Sequence, residues 1–370
     1  MKKQINFLLL AVVMAACNSN KVETFAVDVN LANADGQTVY LQKYAGEELV
    51  TLDSAVINNW DASFKTPVCS DNEMYYVMTE GWRRPVAFFT DNHDVRLEGD
   101  KDNPNAIVIT GSESQDKIVA FTEGFNEIDA RLDSIGELLQ QAKMAGDEAL
   151  VEQLQQQYDD TEENQKMYCF DYVWDNPADV TAHYVLYRYK WAFGPCEIRS
   201  MIENIAQADS TITSSNLVLA KTYLEKQERV QAGQPIIDFT QNDPEGNPVT
   251  LSQLAEGKLL LIDFWASWCP DCRKANPDVV KAYQLYHEQG FDVLGVSFDT
   301  NKEAWLAAIE KDGLTWTQVS DLQGWNNAAG ALYAVSFIPQ NALIKDGVIV
   351  ARNLEGEALF NEIEYRLTNH

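Results

Sequence analysis

One stretch limits what this chain can fold into: Leu259-Leu260-Leu261-Ile262-Asp263-Phe264-Trp265-Ala266-Ser267-Trp268-Cys269-Pro270-Asp271-Cys272. Its apolar opening suits a strand buried on both faces. It runs straight into Cys-x-x-Cys, followed by Arg273, Lys274 and Ala275, which read as a helix. Two cysteines where a strand hands over to a helix sit at a helix N-terminus. There the partial positive charge of the aligned peptide dipoles favours a thiolate. The stretch therefore reads as a redox dithiol.

Two other uses of the pair are weaker. Zinc takes four ligands, usually two such pairs or a cysteine pair plus histidines. The chain has no second Cys-x-x-Cys, and its four histidines, His93, His183, His287 and His370, make no ligand-spaced pair. No metal and no cofactor is expected. A purely structural disulfide closing so short a loop constrains the unfolded chain little. Redox chemistry accounts for position, spacing and compartment together.

The compartment is read from residues 1–17. Lys2 and Lys3 form a positive n-region, and Phe7 to Ala16 is an apolar run too short to span a bilayer. It ends in Met14-Ala15-Ala16-Cys17, which resembles the lipobox of bacterial lipoproteins, with Met14 where Leu is commoner. The resemblance implies cleavage before Cys17 and acylation of its thiol, a firm anchor once two or three chains are attached. Asn18 does not resemble the Asp retention signal for the inner membrane. The expected location is therefore the periplasmic side of a membrane in the cell envelope, with the outer membrane favoured. Export also places the six cysteines in a compartment that permits disulfides. Setting aside Cys17 and the Cys269/Cys272 pair leaves Cys69, Cys169 and Cys196, an odd number, so at least one is free or pairs between molecules. A net charge of −28, from 28 Lys plus Arg against 56 Asp plus Glu, disfavours nucleic acid and anionic lipid as partners.

A chain of 370 residues suggests two or three domains. Phe25, Val27, Val29 and Leu31 alternate with smaller or polar residues, Asp35-Gly36 turns, and Val39 and Leu41 resume the alternation. Short strands follow at Met74–Met78, Val86–Phe89, Val95–Leu97 and Ile107–Ile109, which predicts an all-β sandwich over 24–111. The period then changes. Phe121, Phe125, Ile128, Leu132, Ile135 and Leu139 form a stripe on one helix. Gly146-Asp147 supplies a stop and a new N-cap for a second, antiparallel helix. Asn176-Pro177 reads as cap and first-turn proline of a third helix, crowded with Tyr184, Tyr187, Tyr189, Trp191 and Phe193. Two further helices are expected at 196–208 and 214–231, completing a helical region over 112–232. From residue 233, strands alternate with helices and end in an Asp346-Gly347 hairpin and a closing helix, which predicts an α/β domain with a mixed sheet over 233–370.

With these residues in place, the last domain resembles the thioredoxin superfamily, and within it the membrane-tethered TlpA/ResA-like thiol–disulfide oxidoreductases. Phe264 to Cys272 matches the active-site motif, Pro277 falls at the family's helix-kinking proline, and Ile338-Pro339 falls at its cis-proline. The 67 residues from Cys272 to Pro339 leave room for the strand and helix that this branch inserts. The N-terminal half resembles the uncharacterised β-sandwich domain found before many thioredoxin-like lipoproteins, through Thr51 to Ala55, Phe88-Phe89 and Ile109 to Ser112.

The resemblance implies roles. Cys269 is the exposed nucleophile and Cys272 the more buried resolving thiol. Asp263 occupies the position of the buried carboxylate that accepts the resolving thiol's proton. Trp268 shields the sulfurs, and Ile338 and Pro339 offer backbone to an extended substrate. Three positions depart from the family. Ala275 stands where a Glu is common, and Gly295 stands where thioredoxins have a lysine paired with the buried acid. Asp271 puts a carboxylate between the thiols and disfavours the thiolate, which predicts a dithiol toward the reducing end of the roughly −270 to −120 mV span.

The function expected is that of a lipid-anchored thiol–disulfide oxidoreductase that reduces or isomerises disulfides of exported proteins, with a membrane redox partner supplying electrons. One alternative is an envelope scaffold whose thioredoxin-like module only docks partners. The other is a peroxidase of the peroxiredoxin type, which needs a Thr three residues before the reactive cysteine, where this chain has Ala266.

Overall fold

A computed structural model describes residues 23–68, 74–211 and 213–369. The chain forms two compact units, one ending at Glu127 and the other beginning at Ile128. Cys17, the lipobox and Cys69 lie outside the described residues.

The first unit is a β-sandwich of two four-stranded sheets. Its strands are β1 (Thr24–Ala32), β2 (Thr38–Ala45), β3 (Glu48–Val56), β4 (Asp61–Pro67), β5 (Met74–Thr79), β6 (Val86–Phe89), β7 (Val95–Asp100) and β8 (Val108–Thr110). One sheet has the order β4-β1-β7-β8 and the other β3-β2-β5-β6. The alternation in β1 and β2 does what it promised: Val27, Val29, Leu31, Val39 and Leu41 all face the core. However, β1 and β2, adjacent in sequence, do not pair with each other; the Asp35-Gly36 turn carries the chain from one sheet to the other. The residue pattern did not reveal β3 or β4 as strands. Most of β3 is exposed on both faces, so it carries no alternation to read.

Helix α1 (Glu113–Ala145) starts where Asp91 accepts hydrogen bonds from the Ser112 hydroxyl and from the Ser114 amide and hydroxyl. Gly146 then takes φ +71°, and Asp147 accepts the Leu150 amide to cap α2 (Glu148–Asp175). Ile135, Leu139 and Ala142 pack on Leu154 to close this helical hairpin.

Helix α3 (Val180–Tyr189) does not begin at Asn176-Pro177 as expected. Asp179 is its N-cap, because the Asp179 carboxylate reaches both the Thr181 amide and hydroxyl. Asn176 instead turns back to the Tyr172 carbonyl at the end of α2. Helices α4 (Pro195–Ala208) and α5 (Ser215–Glu228) follow. The aromatic residues of α3 and its sequel serve packing: the Lys190 ammonium lies 3.9 Å from the Tyr187 ring centre, and Phe193 is buried beside Phe170. Helix α5 is tied to the α/β domain by Gln227, which donates to the Ala334 carbonyl. The half-buried Arg352 donates to the carbonyls of Val230 and Tyr333.

The α/β domain opens with the hairpin β9 (Thr240–Asn242) and β10 (Pro248–Thr250) and the short helix α6 (Leu251–Leu254). Then come β11 (Leu259–Trp265), α7 (Pro270–Tyr286), β12 (Phe291–Ser297), α8 (Lys302–Asp312), β13 (Thr317–Val319), α9 (Ala328–Leu332), β14 (Gln340–Lys345), β15 (Val348–Arg352) and α10 (Gly356–Thr368). Before β14 the chain is only partly helical: a 3-10 turn at Gly324–Asn326 precedes α9. The sheet order is β13-β12-β11-β14-β15, with β11, β12 and β13 parallel and β14 and β15 antiparallel. Every residue of β11 and β12 is buried, as their continuous apolar runs require.

Candidate active site

Strand β11 lies in the middle of the sheet and delivers the chain to the dithiol. After Trp265 the loop Ala266–Trp268 turns the chain, and Cys269 becomes the N-cap of α7, with Pro270 in the first turn. Cys269 Sγ accepts the Cys272 amide N–H at 3.1 Å. A backbone N–H at a helix N-terminus stabilises negative charge on the sulfur that accepts it. The two cysteines are joined as a disulfide, with Cα atoms 5.3 Å apart. Cys269 is 5% exposed and Cys272 1%. The expected order of accessibility is present, but in the disulfide form Cys269 is itself largely covered.

Ile338-Pro339 is a cis peptide, and the Ile338 carbonyl oxygen lies 3.7 Å from Cys269 Sγ. Trp268 is half exposed; its indole N–H donates to the Phe298 carbonyl and its ring lies beside Trp325. Pro277 is inside α7. Thus Cys269, Cys272, Trp268, Ile338 and Pro339, far apart in sequence, converge at the C-terminal end of β11.

Asp263 lies inside the domain on β11, and burial alone pushes its carboxyl up to about 7. In register it faces Gly295 on β12 and Asn341 on β14. Gly295 is therefore the position across from the acid, as the sequence placed it. The Gln318 carboxamide fills the space above it: an added Cβ would come within 2.1 Å of Gln318 Oε1, so a side chain there would have to displace that amide.

A supporting network was not read from the sequence. Asp299 accepts from the Ser267 amide and hydroxyl and from the Ser297 hydroxyl. Arg273, the residue after Cys272, donates to the Ser267 carbonyl and forms an ion pair with Asp312 at the end of α8, where Asn276 also donates. Together these fix the loop before the dithiol from both sides. Arg273 beside a Cys-x-x-Cys was the available signal, but its ion-pair partner Asp312 lies 39 residues further on.

Cys169 and Cys196 are free thiols. Burial pushes the Cys169 thiol up to about 12, so it carries no thiolate at neutral pH. Among the described residues no group of three or more His, Cys, Asp or Glu is placed to hold a metal.

Two segments of the chain are similar to known proteins. Residues 232–352 match the model of the AhpC/TSA family, and residues 25–118 match a domain of unknown function, DUF4369. Thiol-disulfide oxidoreductase ResA of Bacillus cereus is 26% identical over 147 residues, 40% of this chain and 82% of the relative. ResA of Geobacillus thermodenitrificans is 29% identical over 150 residues, 40% and 83%. Among solved structures, the C-terminal domain of a thiol-disulfide oxidoreductase from Bacteroides thetaiotaomicron is 34% identical, with a TM-score of 0.37, covering 38% of this chain and 99% of that one. The chain thus carries an N-terminal DUF4369 domain and, over residues 232–352, a thioredoxin-like domain of the AhpC/TSA type, similar to relatives named thiol-disulfide oxidoreductases.

Proposed function

We propose that the protein is a thiol–disulfide oxidoreductase that reduces or isomerises disulfides of exported proteins through Cys269 and Cys272. The observation that carries this reading is the dithiol at the N-terminus of α7 with the Ile338 carbonyl 3.7 Å from Cys269 Sγ. In the reduced protein the Cys269 thiolate attacks one sulfur of a substrate disulfide. A mixed disulfide forms and the first substrate thiolate leaves. Cys272 then gives its proton to the Asp263 carboxylate and attacks Cys269 Sγ. The mixed disulfide breaks, the second substrate thiolate leaves, and the protein holds the Cys269–Cys272 disulfide. Two electrons have passed to the substrate; a membrane dithiol partner returns them. The backbone at Ile338-Pro339 pairs with the extended substrate, and Trp268 shields the sulfurs.

The sequence at Cys17 supports a lipid anchor in the cell envelope, on the periplasmic side. Asp271 at the first turn of α7 supports a reducing potential, because it opposes the thiolate that would stabilise the dithiol form. Peroxidase chemistry is disfavoured, since Ala266 offers no hydroxyl to a peroxide. The test is turbidity of insulin during reduction by dithiothreitol, with and without the protein. Wild type accelerates precipitation and Cys269→Ser does not. Equal acceleration by both sinks the oxidoreductase reading in favour of a docking module.

A further inference from the structure

Three parallel strands set a row of residues side by side across one face of the C-terminal sheet. Asp263 on β11 is in register with Gly295 on β12, and Gly295 with Gln318 on β13. Residues opposite each other share a face. The middle of the row has no side chain, and Gln318 fills the gap. A Cβ on Gly295 would lie 2.1 Å from Gln318 Oε1 and 2.6 Å from Nε2. The carboxamide therefore lies over β12, on the side toward β11.

There it meets Trp265, two residues beyond Asp263 and so on the same face. The Trp265 indole N–H donates to Gln318 Oε1 at 3.0 Å. This bond fixes which end of the amide is which: Oε1 is the committed acceptor, and Nε2 carries the donors. Gln318 is 4% exposed, and Nε2 has no hydrogen-bond partner among the described residues. A buried donor left this way is costly. Asn341, on the other side of Asp263, is satisfied: it donates to the Leu354 carbonyl and accepts the Leu354 amide. The unspent donor in the row is on Gln318, and one strand spacing, about 4.8 Å, separates the strand beneath it from that of Asp263.

We propose that Gln318 is a positioning residue for the dithiol chemistry, its Nε2–H holding the Asp263 carboxylate ready for the Cys272 proton across one bridging water. The inference rests on Asp263 being the base. Burial pushes the Asp263 carboxyl up to about 7, so an unassisted carboxylate is half protonated at neutral pH and a poor acceptor. A donor to the charged form pulls the other way. Gln318 supplies that donor without a second buried charge, in the space that Gly295 leaves without a side chain.

The experiment is the pH dependence of mixed-disulfide resolution in the full chain. Reduced protein is mixed with oxidised glutathione, and attack by Cys272 is followed by stopped-flow fluorescence of the tryptophans. Wild type should inflect below pH 7, and Asp263→Asn should lose that inflection. Gln318→Leu should move it up by about one pH unit. Gln318→Glu keeps the volume and the acceptor for Trp265 but removes the donor; it should move the inflection further up. In the Asp263→Asn background neither substitution should change the profile. If Asp263→Asn keeps the inflection, Asp263 is not the base and the proposal falls with it. If Asp263→Asn removes the inflection but Gln318→Leu or Gln318→Glu leaves it in place, only the role of Gln318 is overturned. A merely structural Gln318 would lower the rate or the melting temperature without moving the inflection.

Discussion

The sandwich and the C-terminal sheet are both closed around apolar cores, but they bury different polar groups. In the sandwich strands the buried polar side chains are Thr66 and Thr79, both neutral and small. The C-terminal domain buries Asp263, Asp292, Asp299, Asn341 and Gln318. Desolvating a carboxylate costs several kcal/mol unless it is paired or protonated. Some of these acids are plainly paired, Asp292 with Lys258 and Asp299 with Ser267 and Ser297. Asp263 has no such partner that explains it; burial alone sets its titration. A fold keeps such a group where chemistry needs it. The sandwich is built by shape alone, and the C-terminal sheet tolerates instability at one place.

The largest effect expected from breaking this contrast is at the dithiol. Cys272→Ser removes the resolving thiol and leaves the nucleophile. Turnover of insulin should fall by more than about 100-fold, and substrates should accumulate as mixed disulfides on Cys269. Non-reducing gels followed by mass spectrometry check this. Adducts on Cys196 instead of Cys269 would show that the exposed free thiol, not the motif, carries the exchange.

Asp263→Asn should stabilise the protein while harming its chemistry. The carboxyl is raised to about 7 when folded and is close to 3.8 when unfolded. Between those values the folded state holds more protons than the unfolded state, so stability falls as pH rises through that window and stays low above it. Asn carries no proton to lose. Its advantage is absent below about pH 4 and reaches on the order of 4 kcal/mol above pH 7, less whatever Gln318 recovers. Chemical denaturation of wild type and variant at pH 4 and pH 8 measures it. No gain at pH 8 means that the carboxyl is not buried uncompensated.

Much of this was legible in the sequence, for physical reasons that differ by element. Strands β11 and β12 are buried on both faces, so their apolar runs announce them. Helices α1 and α2 are bounded by Gly146 and Asp147, residues whose backbone and side-chain chemistry stop one helix and cap the next. The pairing of Asp263 with Gly295 could be read only through the resemblance to thioredoxins, which have a lysine opposite the buried acid. Other parts could not be read. Strand β3 has no dry face, and β13 is three residues long. The cap of α3 went to Asp179 because two hydrogen bonds outbid a favourable proline. Gln318 was invisible for another reason: its meaning depends on the glycine it covers, 23 residues earlier and one strand away.

Smaller effects belong to the sandwich. Leu41 is 1% exposed in its core, and Leu41→Ala should cost about 2–4 kcal/mol there. Hydrogen exchange should show faster opening across β1, β2 and β5, with protection of β11 and the insulin reduction rate unchanged. A parallel loss of turnover would mean that the sandwich does more than fold.

The smallest effect separates two orphans. Thr66 Oγ1 in β4 and Gln318 Nε2 in β13 are both buried without a partner among the described residues. If an orphan is only a cost, replacing it by an apolar group of the same shape should help. Thr66→Val keeps the β-branch and the volume and removes the hydroxyl. It should be neutral or stabilise the sandwich by up to about 1 kcal/mol, with no change in the pH profile of thiol exchange. Gln318→Leu removes an orphan too, yet it should disturb that profile. If Thr66→Val destabilises the sandwich instead, its hydroxyl is satisfied, by water or by a neighbouring polar group, and the two sites are more alike than their registers suggest. If both substitutions leave the exchange profile untouched, the buried amide of the C-terminal sheet is a cost of folding like the threonine. The contrast between the two cores would then narrow to Asp263 alone.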